Sequence, residues 1–220
     1  MKAAEPAISP QLFEDITRHL LEDDQPSQYL EKLDRQDFLR PYPLSLLHQL
    51  KKTQQSPKHH PEGNVWNHTM MVLDQAARVK GRSKKPKVFL WAALLHDIGK
   101  PPATRERRGK ITAYDHDREG EELCRAFLQF FNQEPSFIEE VAAMVRYHMH
   151  LLYVLRNLPF ADWKGMLERT DPEELALLCL CDRLGRGGAD VLEQEKEYRE
   201  FLIQLRKHAE ADRRIADRQR

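Results

Sequence analysis

Apolar residues recur every three or four positions along most of this chain, which is the spacing of one face of an α-helix. The stretch Pro10–Glu22 shows the pattern clearly, with five apolar residues on one side of the predicted helix. These residues are Leu12, Phe13, Ile16, Leu20 and Leu21. Convincing strand-like alternation is absent, so the pattern predicts an all-α fold.

Helix-start and helix-stop residues divide the chain into further predicted helices. The boundaries are set by proline at a first turn, by Asn64 as an N-cap, and by glycine or proline after a last turn, as at Gly99, Pro101 and Pro102. The predicted helices cover residues 10–22, 27–39, 43–52, 65–81, 86–98, 117–131, 135–152, a short stretch within 158–170, 172–186 and 191–220. The polar segment 53–64 and the charged segment 103–114 are predicted loops, the second with a turn at Gly109.

Composition agrees with a helical protein and frames its organisation. Glycine is scarce, whereas leucine, alanine, glutamate and arginine are plentiful. A chain of 220 residues forms one sizeable domain or two small ones. We expect an N-terminal helical extension over residues 1–55 packed on the core, a main domain over 56–190, and an amphipathic C-terminal helix over 191–220.

Charge and cysteine content narrow the class of protein. The 35 basic and 35 acidic residues balance, which gives no support for a general nucleic-acid or membrane-surface binder, although a local basic patch stays open. The three cysteines do not form a redox C-x-x-C motif. The first ten residues lack the apolar core of a signal peptide, and no apolar run has the length of a membrane span. We therefore expect a cytoplasmic protein without membrane contact.

Four ligand-type side chains occur in segments that otherwise look like core. His68 lies within a predicted helix, His96 and Asp97 follow the apolar run LWAALL, and Asp182 follows LALLCLC. Burying an unpaired polar side chain costs about 1–3 kcal/mol or more. A shared divalent transition ion would satisfy two imidazoles and two carboxylates together.

The adjacent pair His96–Asp97 has a geometric requirement of its own. Neighbouring residues on a helix point in different directions, so both reach one ion only where the helix ends. Gly99 supplies that end. The residues alone leave other interpretations open: a buried histidine is usually hydrogen-bonded core, and Asp182 beside Arg183 can form a helix-end salt bridge. The spacings of 28 residues from His68 to His96 and 85 from Asp97 to Asp182 carry no metal signature.

The order of these residues resembles a known family. His68, then LLHDIGKP with His96 and Asp97, then Asp182 matches the H…HD…D pattern of the HD superfamily of metal-dependent phosphohydrolases. Over about residues 61–188, five ordered blocks are similar to the HD domain that follows the nucleotidyltransferase part in bacterial CCA-adding enzymes. The blocks are PEGNVWNHTMMVLDQAA, LLHDIGKPPAT, GKITAYDHDREGEEL, VRYHM and CDRLGRG.

This resemblance implies a fold and a ligand set. The fold is an all-α HD-domain helical bundle over residues 56–190, with a short N-terminal helical extension and a long C-terminal helix. His116 and His148 correspond to histidines that in many members complete a second metal site or line the phosphate pocket. The implied metal ligands are His68, His96, Asp97, His116, His148 and Asp182, which hold one or two divalent ions of Mn, Ni, Co, Mg, Fe or Zn.

The resemblance also implies a reaction, which is hydrolysis of phosphate esters of nucleotides, 2′,3′-cyclic nucleotides or related small phosphoesters. Asp97 would hold the ion and orient or deprotonate water, while Lys100 and Arg186 would neutralise charge on the phosphoryl group. Lys100 can equally be a solvated turn residue. No segment before residue 61 resembles the nucleotidyltransferase head, so we expect a hydrolase that does not add nucleotides to tRNA.

Two other functions stay open from the sequence. The chain can be a nucleotide- or RNA-binding regulatory module with a structural or vestigial metal site, although the zero net charge does not support contact with tRNA or RNA. It can also be a di-iron HD-type oxygenase. Three further histidines are placed outside the site: His150 points away from His148 on a helix, and His59 and His60 are expected to be solvated in a polar loop.

Overall fold

A computed structural model describes residues 10–218 of the chain, with side chains through residue 210. Apart from one short hairpin, the regular elements in this part of the chain are helical, which confirms the all-α prediction. The elements are α1 Pro10–Glu22, α2 Ser27–Arg35, α3 Ser45–Gln49, α4 Val65–Val79, α5 Pro86–Leu95, α6 Lys100–Ala103, β1 Arg105–Arg107, β2 Lys110–Thr112, α7 His116–Phe130, α8 Pro135–Tyr147, α9 His150–Leu155, α10 Trp163–Arg169, α11 Pro172–Leu184 and α12 Val191–Arg218. Residues 1–9 of the predicted extension and 219–220 of the predicted C-terminal helix lie outside the described residues.

Helix α5 lies at the centre of the bundle because it is apolar on every side. Each of its residues from Val88 to Leu95 is buried. Helices α1, α4, α8 and α11 pack around it. The chain that follows α5 therefore emerges inside the molecule, and that chain begins with the pair His96–Asp97.

The N-terminal helices share one hydrophobic core with the rest of the bundle. The ring of Phe13 in α1 stacks on Trp91 in α5 at 4.4 Å between centroids. The Trp91 indole donates to the hydroxyl of Thr17 at 3.1 Å, which satisfies its buried N–H. A second apolar cluster joins α9, α10 and α11 to Phe201 and Leu205 of the long helix α12.

Several boundaries differ from the predictions. Helix α2 ends at Arg35 rather than at residue 39, and the predicted helix 43–52 is α3 followed by a 3-10 turn over Leu50–Lys52. The predicted helix 135–152 divides into α8 and α9 because the His148 side chain donates a hydrogen bond to the Val145 carbonyl at the end of α8. The prolines at 101 and 102 lie inside the first turn of α6, since α5 has already ended at Leu95.

The charged segment predicted as a loop forms a small antiparallel hairpin of β1 and β2. Its two-residue turn is Arg108–Gly109, and both residues have positive φ angles of 52° and 73°. This is the conformation that matches the twist of a tight hairpin, and glycine adopts it without strain. The strands have three residues each and β1 is fully exposed, so no apolar alternation marks them in the sequence. Among the described residues, no helix is long and apolar enough to cross a bilayer.

Candidate metal centre

The six predicted ligands come from five helices or helix ends and lie together in the interior. His68 is in the middle of α4, His96 and Asp97 follow α5, and Asp182 lies in the last turn of α11. The other two histidines are the first residue of α7 and the residue after α8. Each side chain is buried: His68, His96, Asp97, His116, His148 and Asp182.

Two groups of three donor atoms can be distinguished. In the first group, His68, His96 and Asp182 each offer one ligand atom within 4.8 Å of the others. The closest contact joins His68 Nε2 to Asp182 Oδ1 at 3.0 Å. In the second group, Asp97, His116 and His148 meet the same criterion.

Asp97 lies between the two groups and presents one carboxylate oxygen to each. Its Oδ2 is 3.2 Å from His96 Nε2 and 3.7 Å from His68 Nε2. Its Oδ1 is 3.5 Å from His116 Nε2 and 3.8 Å from His148 Nε2. A carboxylate in this position can bridge two ions or hold one between the groups.

Three of the histidines are oriented by the backbone in the same way. His96 donates from Nδ1 to the carbonyl of Ala93 at 2.8 Å, three residues earlier in the chain. His116 and His148 do the same with the carbonyls three residues before them, at 2.7 Å and 2.6 Å. Because the proton lies on Nδ1, the lone pair of each Nε2 points into the site, as a metal ligand requires.

The fourth histidine lies beside a carboxylate that sequence reasoning missed. His68 Nδ1 lies 2.9 Å from Glu62 Oε1, and the same oxygen is 2.8 Å from His60 Nδ1. The backbone N–H of Gly187 donates to the other oxygen of Glu62 at 2.9 Å. The expectation that His60 is solvated is wrong, because its side chain packs on Glu62 and is only 12% exposed. No local pattern marks these residues, since they meet His68 only through the path of the loop.

Charges in the site favour the forms that bind cations. Burial raises the pKa of Asp97, but Lys100 and His96 outweigh burial and hold it well below its ordinary value. Burial likewise raises the pKa of Asp182, and Arg186 and His68 bring it well below the ordinary range. Burial lowers the pKa of His148 to about 3. The site therefore offers ionised carboxylates and a neutral His148 imidazole. Burial lowers the pKa of His68, but Asp182 and Glu62 outweigh burial and raise it, so an ion at His68 would have to displace a proton.

Two pairs of ligand atoms face one another without a proton between them. With the proton of His96 on Nδ1, its buried Nε2 has no hydrogen-bond partner among the described residues and faces the ionised carboxylate of Asp97. His116 Nε2 and His148 Nε2 face each other at 3.3 Å, and each carries a lone pair because the proton of its ring lies on Nδ1. Lone pairs that face each other at such distances repel. A cation between them would remove the repulsion and would give each buried polar atom a partner. The residues fit one or two divalent ions.

Four of the six buried ligands, Asp97, His116, His148 and Asp182, form the floor of a cavity of about 870 Å³. Lys100 and Arg186 line the same cavity. Lys100 Nζ lies 2.7 Å from Asp97 Oδ2 and donates to Gln55 Oε1 at 2.9 Å, so the alternative of a solvated turn lysine is wrong. Arg186 Nη2 lies 3.3 Å from Asp182 Oδ2. Both cations are thus held beside the carboxylates and face the cavity.

Neighbouring polar residues lie outside this cluster. Arg183 pairs with Glu197 of α12 rather than with Asp182. His150 is buried, but its Nε2 accepts from the backbone N–H of Asp162 at 3.1 Å, away from the ligand cluster. His59 is exposed on the cavity lining, as expected for a loop histidine.

Comparison with known proteins identifies relatives of this chain. A family model described as HD domain matches residues 65–187. Multifunctional CCA protein from Pseudomonas fluorescens (strain SBW25) is 31% identical over 193 residues, which cover 84% of this chain and 45% of the relative. Multifunctional CCA protein from Methylococcus capsulatus (strain ATCC 33009 / NCIMB 11132 / Bath) is 34% identical over 145 residues, which cover 61% of this chain and 32% of the relative.

The chain spans less than half the length of these curated relatives. The family model covers more than half of the chain, and its span includes all six ligand candidates together with Lys100 and Arg186. The resemblance to the HD region of CCA proteins is confirmed. The chain belongs to the HD domain family, whose members are generally metal-dependent phosphohydrolases.

Proposed function

We propose that the chain is a metal-dependent phosphohydrolase that cleaves phosphate esters of nucleotides, 2′,3′-cyclic nucleotides or related small phosphoesters. The observation that carries the proposal is the set of opposed lone pairs at the cavity floor, with the cations Lys100 and Arg186 in the same cavity. Cation-binding groups on the floor and anion-binding groups beside them are what a metal-assisted attack on a phosphoryl group requires.

The residues divide the work as follows. His68, His96 and Asp182 would hold one divalent ion, and His116 and His148 a second, with Asp97 shared between them. The candidate ions are Mn, Ni, Co, Mg, Fe and Zn. When bound, such an ion lowers the pKa of water and polarises a phosphoryl oxygen. Asp97 stays ionised beside Lys100 and accepts a hydrogen bond from the attacking water, which orients it.

Lys100 and Arg186 act on the substrate as positioned cations. The ammonium of Lys100 is held by Gln55 and Asp97, so it is ordered before substrate arrives. The guanidinium of Arg186 is held by Asp182. Charge that develops on the phosphoryl oxygens would be neutralised by these groups without their reorganisation, which lowers the barrier.

The substrate that we propose is small and phosphorylated. The CCA protein relatives support a nucleotide-related context, whereas contact with tRNA or RNA has no support from the balanced net charge. The three cysteines are free and buried, which agrees with our proposal of a cytoplasmic location. Neither a partner nor an oligomeric state enters the proposed reaction.

The test is a phosphoester panel assayed with Mn²⁺, Ni²⁺, Co²⁺ or Mg²⁺ and with a chelator. We expect metal-dependent turnover that is lost in Asp97→Ala and kept in the control Asp24→Ala, whose carboxylate is exposed. Metal binding without turnover of any phosphoester would refute hydrolysis and favour a regulatory binding module. An oxygen-dependent optical change with iron would refute it in favour of the oxygenase.

A further inference from the structure

We propose that three aromatic side chains of the cavity, Tyr114, Tyr153 and Phe160, bind the base of a nucleoside phosphate. We call these residues the aromatic wall. The inference rests on the proposed function and narrows its substrate, because it makes the base, and not only the phosphate, a recognised part of the molecule.

The aromatic wall is built from three separate parts of the chain. Tyr114 lies between β2 and α7, Tyr153 lies in α9, and Phe160 lies in the segment between α9 and α10. All three line the cavity whose floor carries Asp97 and His148. Separate segments have therefore brought aromatic rings to the same cavity as the candidate metal ligands.

Exposure separates the floor of this cavity from its mouth. Asp97 and His148 are each 2% exposed, whereas Phe160 is 60% and Tyr114 is 73% exposed. The Tyr153 and Phe160 rings meet at 62° with 5.5 Å between centroids, which is an edge-to-face contact. A ligand held by phosphate at the floor thus meets uncovered aromatic surface toward the mouth.

Size and polarity favour a nucleobase as the occupant. The cavity volume of about 870 Å³ exceeds what a phosphate alone fills, and small-molecule sites are roughly 300–1,000 Å³. A base has flat faces that stack on aromatic rings and a polar edge that needs hydrogen bonds. Tyr153 lines the cavity, and its hydroxyl is protonated at neutral pH like that of any tyrosine, so it can donate to that edge. Arg118 and Asp162 add polar groups to the same lining. An alkyl chain would leave these polar groups unmatched.

The test compares AMP with ribose 5-phosphate, which carries a hydroxyl group where AMP carries the base. In the wild-type protein we expect a higher kcat/KM for AMP. Base–aromatic stacking is worth roughly 5- to 150-fold per base, so Phe160→Ala should reduce the AMP to ribose 5-phosphate ratio within that range, mainly through KM for AMP. Phe130→Ala removes a half-exposed phenylalanine that does not line the cavity, and it should leave the ratio unchanged.

The outcomes separate this inference from the proposed function. Hexyl phosphate serves as a third substrate with an alkyl chain in place of the nucleoside. Equal kcat/KM for AMP and ribose 5-phosphate, or a higher kcat/KM for hexyl phosphate than for AMP, would refute base binding by the aromatic wall and leave the proposed hydrolysis intact. If no phosphoester is hydrolysed, equilibrium dialysis of AMP decides: binding that weakens in Phe160→Ala supports the wall although hydrolysis fails. An AMP affinity that is the same in Phe160→Ala and in the wild type would overturn the wall in either case.

Discussion

Gly99→Ala tests the close approach between the backbone that follows α5 and the backbone of α7. A Cβ atom at residue 99 would lie 2.1 Å from the carbonyl oxygen of His116 and 2.4 Å from the backbone nitrogen of Gly120. Ordinary Cβ contacts begin near 3.4 Å, so the two segments must separate by about 1 Å or more. Both obstacles are backbone atoms, and a change of rotamer cannot relieve them. Gly99 has an ordinary φ of −81°, so steric overlap alone sets the cost.

The expected destabilisation is at the upper end of the range for overpacking. Extra atoms in a packed core cost about 1–3 kcal/mol, and overlap with backbone places this variant near 3 kcal/mol or above. For a chain of this size, each kcal/mol lowers Tm by about 2–4 °C, which gives a fall of roughly 6–12 °C. Gly81→Ala is the matched control, because nothing lies within 4 Å of the added atom. It should change stability by no more than about 0.5 kcal/mol.

The same displacement should disturb the candidate metal centre. His116 is the first residue of α7. A displacement of α7 away from Gly99 therefore moves the Nε2 atom of His116 away from Asp97. Thermal and urea unfolding measure the stability, and metal analysis after dialysis measures occupancy. A Tm for Gly99→Ala within about 2 °C of the Gly81→Ala control would refute the reasoning, since a fall of roughly 6–12 °C is expected.

Three further variants test separate parts of the account. Glu62→Gln should weaken binding of Mn²⁺ by about 10- to 100-fold in calorimetry, because the carboxylate that orients His68 is lost; wild-type affinity would argue against that role. Lys100→Ala should keep its metal content and raise KM or lower kcat for a phosphoester, whereas Asp97→Ala loses metal and activity together; full activity of Lys100→Ala would contradict its contact with phosphate. Asp34→Asn should lower stability at pH 7 by about 1–2 kcal/mol, because the carboxylate loses its ionic hydrogen bonds to α3 and the following turn. Those bonds hold the folded pKa of Asp34 below its ordinary value, so the stabilisation exists above about pH 4 and disappears as the pH falls through the folded pKa; an equal gap between the two proteins in urea titrations at pH 7 and pH 3 would be inconsistent with this.

Most helices were predictable because their signals are local. Helix α1 has the predicted bounds, and prolines 86, 135 and 172 each begin the helix that was assigned to them. The apolar run of α5 predicted a buried helix over residues 86–98, and the helix is buried but ends at Leu95, directly before the pair His96–Asp97. The hairpin was missed because three-residue, exposed strands carry no periodic signal, and the split at His148 was missed because it depends on one side-chain bond to the backbone.

The candidate site was predictable only in part. Ligand chemistry and helix ends pointed to His68, His96, Asp97 and Asp182, whereas His116 and His148 came from the resemblance. Glu62 had no signal in the sequence, because its contact with His68 depends on how the loop between α3 and α4 folds back. The direction of each Nε2 lone pair also depends on backbone carbonyls that only the folded chain positions.

The central claim is that these side chains hold a divalent ion, and crystals grown with Zn²⁺ test it most directly. Diffraction data on both sides of the zinc absorption edge locate the ion without reference to any assumed ligand. The account predicts an anomalous peak bounded by the Nε2 atoms of His68 and His96 and the carboxylates of Asp97 and Asp182, at about 2.0–2.2 Å from its ligands. Anomalous density only at exposed histidines such as His59, with none at the cavity floor, would contradict it.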